Sequence, residues 1–170
     1  MTIDAGPSRR AHVLFVCTGN ICRSPIAEGL FRHQVGSRTD YRVSSAGLAA
    51  AHGVPPSEHA VHVMREAGID ISDARSQPLD RWLIEDADYV IVMTRGHQEA
   101  VRRLMPAAAE KTFLLKEFLP DGAGGEVADP IGGGLRVYRQ CRDEIAEAIP
   151  AIIEFVERTR GKHECLPDES

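Results

Sequence analysis

No apolar run in this sequence approaches the roughly 20 residues that a membrane-spanning helix needs. The opening residues, Met1 to Arg10, carry Gly6-Pro7 and lack the apolar stretch of a secretory signal, so they read as a loose extension. Basic residues are neither in excess nor massed. Lys and Arg number 20 against 25 Asp and Glu, a formal charge of -5, and this scatter argues against a nucleic-acid partner. An acidic chain can still hold an anion where the site itself is positive. Cysteine is scarce, at Cys17, Cys22, Cys141 and Cys165. A chain of 170 residues can bury a core without a disulfide framework, and with no export signal a reducing cytoplasm is the expected compartment. Metal-ligand spacing is also missing: His59 and His62 lack a matching third ligand and read as solvated helix positions, so no metal and no cofactor is expected. The glycines 132–134 are no nucleotide loop, because no strand precedes them and no Lys-Ser/Thr follows. Internal repeats and linkers are absent, which leaves one domain expected over 11–160 with loose ends at 1–10 and 161–170.

What is present is an alternation of strand and helix patterns. Residues 12–17 contain Val13-Leu14-Phe15-Val16, too short for a helix and fit for a buried strand. Thr18-Gly19-Asn20 breaks it. Ser24-Pro25 then opens a helix, Ser as the cap and Pro in the first turn, with Ile26, Ala27, Leu30, Phe31 and Val35 as its apolar stripe. A second strand is expected over 41–46, ended by Gly47. A helix over 56–67 should turn Ala60, Val61, Met64 and Ala67 inward before stopping at Gly68, and a short helix over 79–85 should bury Trp82 and Leu83. Strands at 89–93 and 111–115 flank a helix over 95–105 with Pro106 just past its end. A long last helix carries Tyr138, Cys141, Ile145, Ile149, Ile152 and Val156, and Pro150 inside it predicts a kink or restart near Ile149. Such alternation implies an α/β fold, a parallel sheet covered on both faces.

The chemistry concentrates in Cys17-Thr18-Gly19-Asn20-Ile21-Cys22-Arg23-Ser24, a cysteine and an arginine separated by five residues. The segment follows a strand and enters a helix, where open α/β sheets bind ligands. A loop curling there can aim successive backbone N–H groups at one anion. Gly19 permits the curl, Asn20 can tie the loop back, and the planar fork of Arg23 suits two phosphate oxygens. Among these donors Cys17 is favoured as thiolate and attacks phosphorus without a base, while Ser24 can stabilise the sulfur as it leaves. A leaving group still needs a proton, and Asp129-Pro130, set among glycines, is the best candidate to supply it and later to activate water. Cys22 fits a packing role and a redox partner for Cys17 equally well. Cys141 lies on the apolar stripe of the last helix and reads as core.

The run from Val13 to Glu28, VLFVCTGNICRSPIAE, closely resembles the signature of the low-molecular-weight protein tyrosine phosphatases. The similarity extends through Ser45-Ala46-Gly47, Ala87-Asp88 and Asp129-Pro130. The resemblance implies a flavodoxin-like three-layer sandwich, a four-stranded parallel sheet in the order 2-1-3-4 with helices on both faces, and a cysteinyl-phosphate intermediate formed without metal. It places the nucleophile at Cys17, the phosphate grip at Arg23 and the general acid at Asp129. Thr18, Gly19, Asn20, Ile21, Cys22 and Ser24 complete the phosphate-binding loop, with Ser45 bracing it. In the family the cysteine matching Cys22 can form a reversible disulfide with the nucleophile. The implied partners are phosphorylated proteins, with no nucleic acid, no membrane, and a monomer or weak dimer in solution. Family members that prefer phosphoarginine carry Thr where this chain has Ile21, so phosphotyrosine is the expected substrate. Phe113 to Phe118 and Asp129 to Gly133 nevertheless look more like the arginine branch, the alternative reading. Ile131 stands where many tyrosine phosphatases carry an aromatic residue. Arsenate reduction is disfavoured, since its disulfide relay needs two more cysteines in mid-chain and residues 70–100 have none. A non-catalytic phosphate or redox sensor is disfavoured because every catalytic position is filled.

Overall fold

The run Val13 to Val16 is completely buried because it forms the middle of a sheet covered on both faces. The computed structural model of the protein describes residues 9–120 and 125–160. The ends expected to be loose therefore lie outside the described residues except for Arg9 and Arg10, as do Cys165 and the glycines at 122 and 124. Four parallel strands, β1 (Ala11–Cys17), β2 (Tyr41–Gly47), β3 (Tyr89–Val92) and β4 (Thr112–Leu114), lie in the order β2-β1-β3-β4. In register, Val13 stands opposite Val43 on one side and Tyr89 on the other. The helices are α1 (Arg23–Val35), α2 (Glu58–Glu66), α3 (Arg81–Asp86), α4 (Arg95–Leu104) and α5 (Leu135–Arg160). This is the flavodoxin-like arrangement.

Strand alternation divides the core. Val13 and Phe15 point into a layer with Ile26 and Phe31 of α1 and Ile145, Ile149 and Ile152 of α5. Leu14 and Val16 point the other way, against Leu83 and Ile84 of α3 and Val101 of α4. Phe31 anchors the first layer, edge-on to Phe15 at 5.9 Å and to Tyr41 at 5.5 Å. None of the helices among the described residues is long and apolar enough to cross a membrane.

Several local expectations are corrected. Trp82 is 64% exposed, and α3 buries Leu83 and Ile84 instead. On α2 the inward positions are Ala60, Val63 and Met64, with Ala67 exposed. Pro106 does more than follow α4: it opens a 3-10 turn, Pro106–Lys111, that leads into β4. Helix α5 runs without a restart through Pro150, which sits on its exposed face, where water can satisfy the backbone carbonyl that proline leaves unbonded.

The chain order reverses between β1 and β3. β1 connects through α1 to β2 on one side, and the chain then returns to β3 on the other. The crevice at the carboxyl ends of β1 and β3 is thus the switch point where such sheets receive ligands.

Candidate active site

Residues 17–24 leave β1 at that switch point and turn into α1. The curl is made at Asn20, whose φ of 55° is left-handed, a conformation Asn tolerates better than most residues. Gly19 does not take a left-handed φ, so the expected role of the glycine passes to its neighbour. The loop is held from outside through its carbonyls. Cys17 O accepts from Leu48 N at 3.0 Å, Thr18 O from Ala49 N at 2.9 Å, and Ile21 O from Ser57 N at 2.9 Å. Among the described residues no protein acceptor takes the amide N–H of Gly19 to Cys22. Carbonyls turned out and amides left over make an anion cradle.

Asn20 also ties the loop to the end of β2. Its Nδ2 donates to Ser24 Oγ at 2.8 Å and to Ser45 Oγ at 2.9 Å, and its Oδ1 accepts from Gln77 N at 3.0 Å. Ser45 in turn donates to Glu28 Oε2 at 2.6 Å, and Gln77 Nε2 donates to Ser45 O at 2.9 Å. Asn20, Ser24 and Ser45 are all buried, so this network satisfies groups that would be costly to leave unpaired. Ser24 Oγ lies 2.9 Å from Cys17 Sγ. That engagement explains why Ser24 does not cap α1: the helix starts two residues earlier than a Ser24 cap implies, at Arg23, and its cap position, Cys22, makes no side-chain capping bond.

Gly47 is the close-packing point. A Cβ there would meet Thr18 O at 2.5 Å, Ala50 Cβ at 2.8 Å and Asn20 N at 2.9 Å. Only a bare α-carbon lets β2 support the loop at this distance.

Arg23 is 4% exposed. Its Nη1 donates to Val127 O at 2.9 Å, and Val127 N is fastened to Met93 O at the end of β3 at 2.9 Å. Its Nη2 faces Asp129 Oδ2 at 3.4 Å and Thr18 Oγ1 at 3.5 Å. Asp129 is partly exposed and its Oδ1 accepts from Ile131 N at 3.1 Å. Groups distant in sequence, Cys17, Arg23 and Asp129, thus share one cleft through the Val127 strap.

Cys22 is buried and its thiol bonds Ser57 Oγ at 3.5 Å and Tyr138 OH at 3.3 Å. Burial pushes the Cys22 thiol up, and burial together with the Cys22 contact pushes the Tyr138 phenol up to about 12. His97, in the first turn of α4, is buried and its Nε2 lies 2.8 Å from Thr18 Oγ1. Burial, reinforced by the Arg23 guanidinium, pushes it down to about 4, with Asp129 and Glu126 pulling weakly the other way. His59 and His62 are exposed on α2, His59 edge-on to Tyr138 and His62 at 3.9 Å from Glu66. Cys141 is buried in the core, as read from its helical position.

The fold brings Cys17, Thr18, Asn20, Cys22, Arg23, Ser24, Ser45 and Asp129 together, with Gly19 and Ile21 in the same loop, and it adds residues not read from the sequence as site positions: Glu28, Gly47, Ser57, Gln77, His97, Val127 and Tyr138. Gly47 was legible as a strand end and within the Ser45-Ala46-Gly47 similarity, but its close packing against the loop was not. His97 carried a signal, a capping Thr94 followed in the first helical turn by histidine, just after a strand that ends at the ligand side.

Comparison with known proteins gives consistent matches. The family model described as low molecular weight phosphotyrosine protein phosphatase matches residues 12–162. A protein-arginine-phosphatase of Geobacillus stearothermophilus is 42% identical over 142 residues, covering 84% of this chain and 93% of the relative. Among solved structures, the YwlE arginine phosphatase from Geobacillus stearothermophilus superposes with a TM-score of 0.81 at 40% identity, covering 90% of this chain and 97% of that one. A low molecular weight protein tyrosine phosphatase from T. tengcongensis gives a TM-score of 0.78 at 41% identity, covering 85% and 99%.

Proposed function

Because the chain belongs to the low molecular weight phosphotyrosine protein phosphatase family, we propose that it hydrolyses phosphotyrosine in protein substrates of the cytoplasm, over a catalytic domain spanning 11–160. Cys17 Sγ attacks phosphorus, the S–P bond forming as the ester P–O bond breaks. Asp129 gives its proton to the departing phenolic oxygen. It then takes a proton from the water that displaces sulfur, and the Ser24 hydroxyl at 2.9 Å receives the returning thiolate. The free amides of Gly19 to Cys22 and the remaining N–H groups of Arg23 spread over the phosphoryl oxygens as their charge shifts. Thr18 belongs to the same cradle, and Ser45 braces it through Asn20. Cys22 serves as disulfide partner of Cys17 under oxidation.

The observation that carries the choice of phosphotyrosine is Ile21. It is half-buried, held in place through its carbonyl by Ser57 N, and lies in the loop between Asn20 and Cys22. An apolar side chain beside the reacting phosphate suits an aryl ring and offers no hydroxyl to arrange water for cleaving a P–N bond.

Phosphoarginine is the second reading. It is supported by the relatives named protein-arginine-phosphatase and by Ile131, an aliphatic residue 56% exposed just beyond Asp129-Pro130. Hydrolysis of matched phosphotyrosine and phosphoarginine peptides decides between them. The phosphotyrosine peptide is expected to be the faster substrate, and Ile21→Thr to move the ratio toward phosphoarginine. A wild-type preference for phosphoarginine would overturn the first reading.

A further inference from the structure

His97 is a buried histidine that the proposed chemistry leaves without a task. It stands across the switch-point crevice from the loop, on the first turn of α4, and reaches Thr18 Oγ1 with Nε2 at 2.8 Å. Its other nitrogen, Nδ1, is buried with no hydrogen-bond partner among the described residues. A neutral imidazole has one N–H and one bare nitrogen. Orphaned buried N–H groups are rarer than under-used acceptors, so the arrangement that costs least leaves Nδ1 bare and puts the proton on Nε2. Nε2–H then donates to Thr18 Oγ1.

The consequence falls on Thr18. Its oxygen also faces Arg23 Nη2 at 3.5 Å, and a guanidinium only donates. With both lone pairs taken by donors, the hydroxyl must send its own proton to a third acceptor. Thr18 is exposed at the loop, so that acceptor is solvent when the loop is empty and the anion when the loop holds one.

We infer that His97 is a positioning residue, which by donating from Nε2 to Thr18 Oγ1 turns the Thr18 hydroxyl into an additional donor to the bound phosphoryl group. This rests on the reading of the loop as a phosphate site. The charged groups facing His97 are Arg23, Asp129 and Glu126. With the ring pushed down to about 4 by burial and Arg23, it stays neutral and the polarity of the Thr18 hydroxyl is fixed across the neutral range.

Two measurements test this. In the wild-type protein at neutral pH, nitrogen–proton correlation spectra of the His97 ring should display the Nε2–H tautomer; the Nδ1–H tautomer overturns the proposal. Inorganic phosphate, used as a competitive inhibitor of aryl phosphate hydrolysis, should bind roughly 3- to 10-fold more weakly to His97→Ala, the value of about one hydrogen bond. His97→Gln, which keeps a donor at the same reach, should recover most of that loss. Thr18→Val should weaken phosphate by a similar factor, and adding His97→Ala to it should cost nothing more. A full, additive loss in the double variant overturns the proposal while leaving the phosphatase reading intact. A wild-type protein that neither binds phosphate nor hydrolyses aryl phosphate overturns both. Should His97→Ala fail to fold, the tautomer and the Thr18→Val inhibition constant decide: the proposal falls if Thr18→Val binds phosphate as the wild type does.

Discussion

Replacing Gly47 by alanine adds one methyl group 2.5 Å from Thr18 O and 2.9 Å from Asn20 N, both backbone atoms of the loop between β1 and α1. Gly47 cannot retreat easily. Its N–H donates to Gln77 O at 3.0 Å, its carbonyl accepts from Leu79 N at 2.8 Å, and it is in register with Cys17 across the sheet. To restore ordinary contact at 3.4 Å the Thr18 carbonyl must move by 0.9 Å and Asn20 N by 0.5 Å. The overpacking should cost about 1–3 kcal/mol of stability. For a domain of this size that lowers Tm by roughly 2–4 °C per kcal/mol. The catalytic loss should be larger in proportion, because misplacing a reacting group by about 1 Å can cost on the order of 100-fold in rate. Thermal unfolding and kcat/KM on an aryl phosphate read the two effects separately. Gly19→Ala is the control for stability: its Cβ would meet only Ile21 Cγ1 at 3.7 Å, so Tm should barely change. A Gly47→Ala protein with wild-type kcat/KM would refute the claim that strand β2 fixes the loop's geometry through this contact.

Asp129→Asn should slow hydrolysis of phosphotyrosine, whose leaving group needs a proton, by about 100- to 10,000-fold while sparing an aryl ester with an acidic phenol; equal slowing on both would contradict the acid role. Acid stability should follow the buried histidines. His97 takes its proton near 4 in the fold and near its ordinary 6.5 when unfolded, so the unfolded chain binds more protons in between and stability falls as pH drops through that window. His12, also lowered by burial, adds with the same sign, and His97→Gln should flatten part of the slope in denaturant titrations; an unchanged slope would contradict the burial argument. After brief peroxide treatment, wild-type activity should return with a dithiol, whereas Cys22→Ser should lose it permanently; equal recovery would remove Cys22 as the disulfide partner.

The central unit of the fold was readable because its signals are local. A buried strand, a breaker triplet and a helix start occupy residues 11–35 without interruption, and the strand–helix alternation then determines a parallel sheet. What escaped depends on partners far along the chain. Val127 gives no local hint that its carbonyl holds Arg23, and Gln77 reaches Asn20 only because the chain returns past the end of β2. Ser24 misled in an instructive way: a good capping residue by type, it is used instead between Asn20 and Cys17, so functional hydrogen bonding overrode helix propensity. Trp82 sits on a helix of six residues, too short for periodicity to tell inside from outside, and hydrophobicity alone pointed it the wrong way. Gly47 read as the end of a strand, while its lack of a side chain is what allows the loop to approach.

Turnover by the proposed route requires the Cys17 sulfur to carry the phosphoryl group. Quenched turnover of a phosphotyrosine peptide by the wild-type protein, followed by proteolysis and mass spectrometry, should find one added phosphoryl group on the peptide containing Cys17, and Cys17→Ser should not turn over. A phosphoryl group on any other residue, or turnover that survives Cys17→Ser, would contradict it.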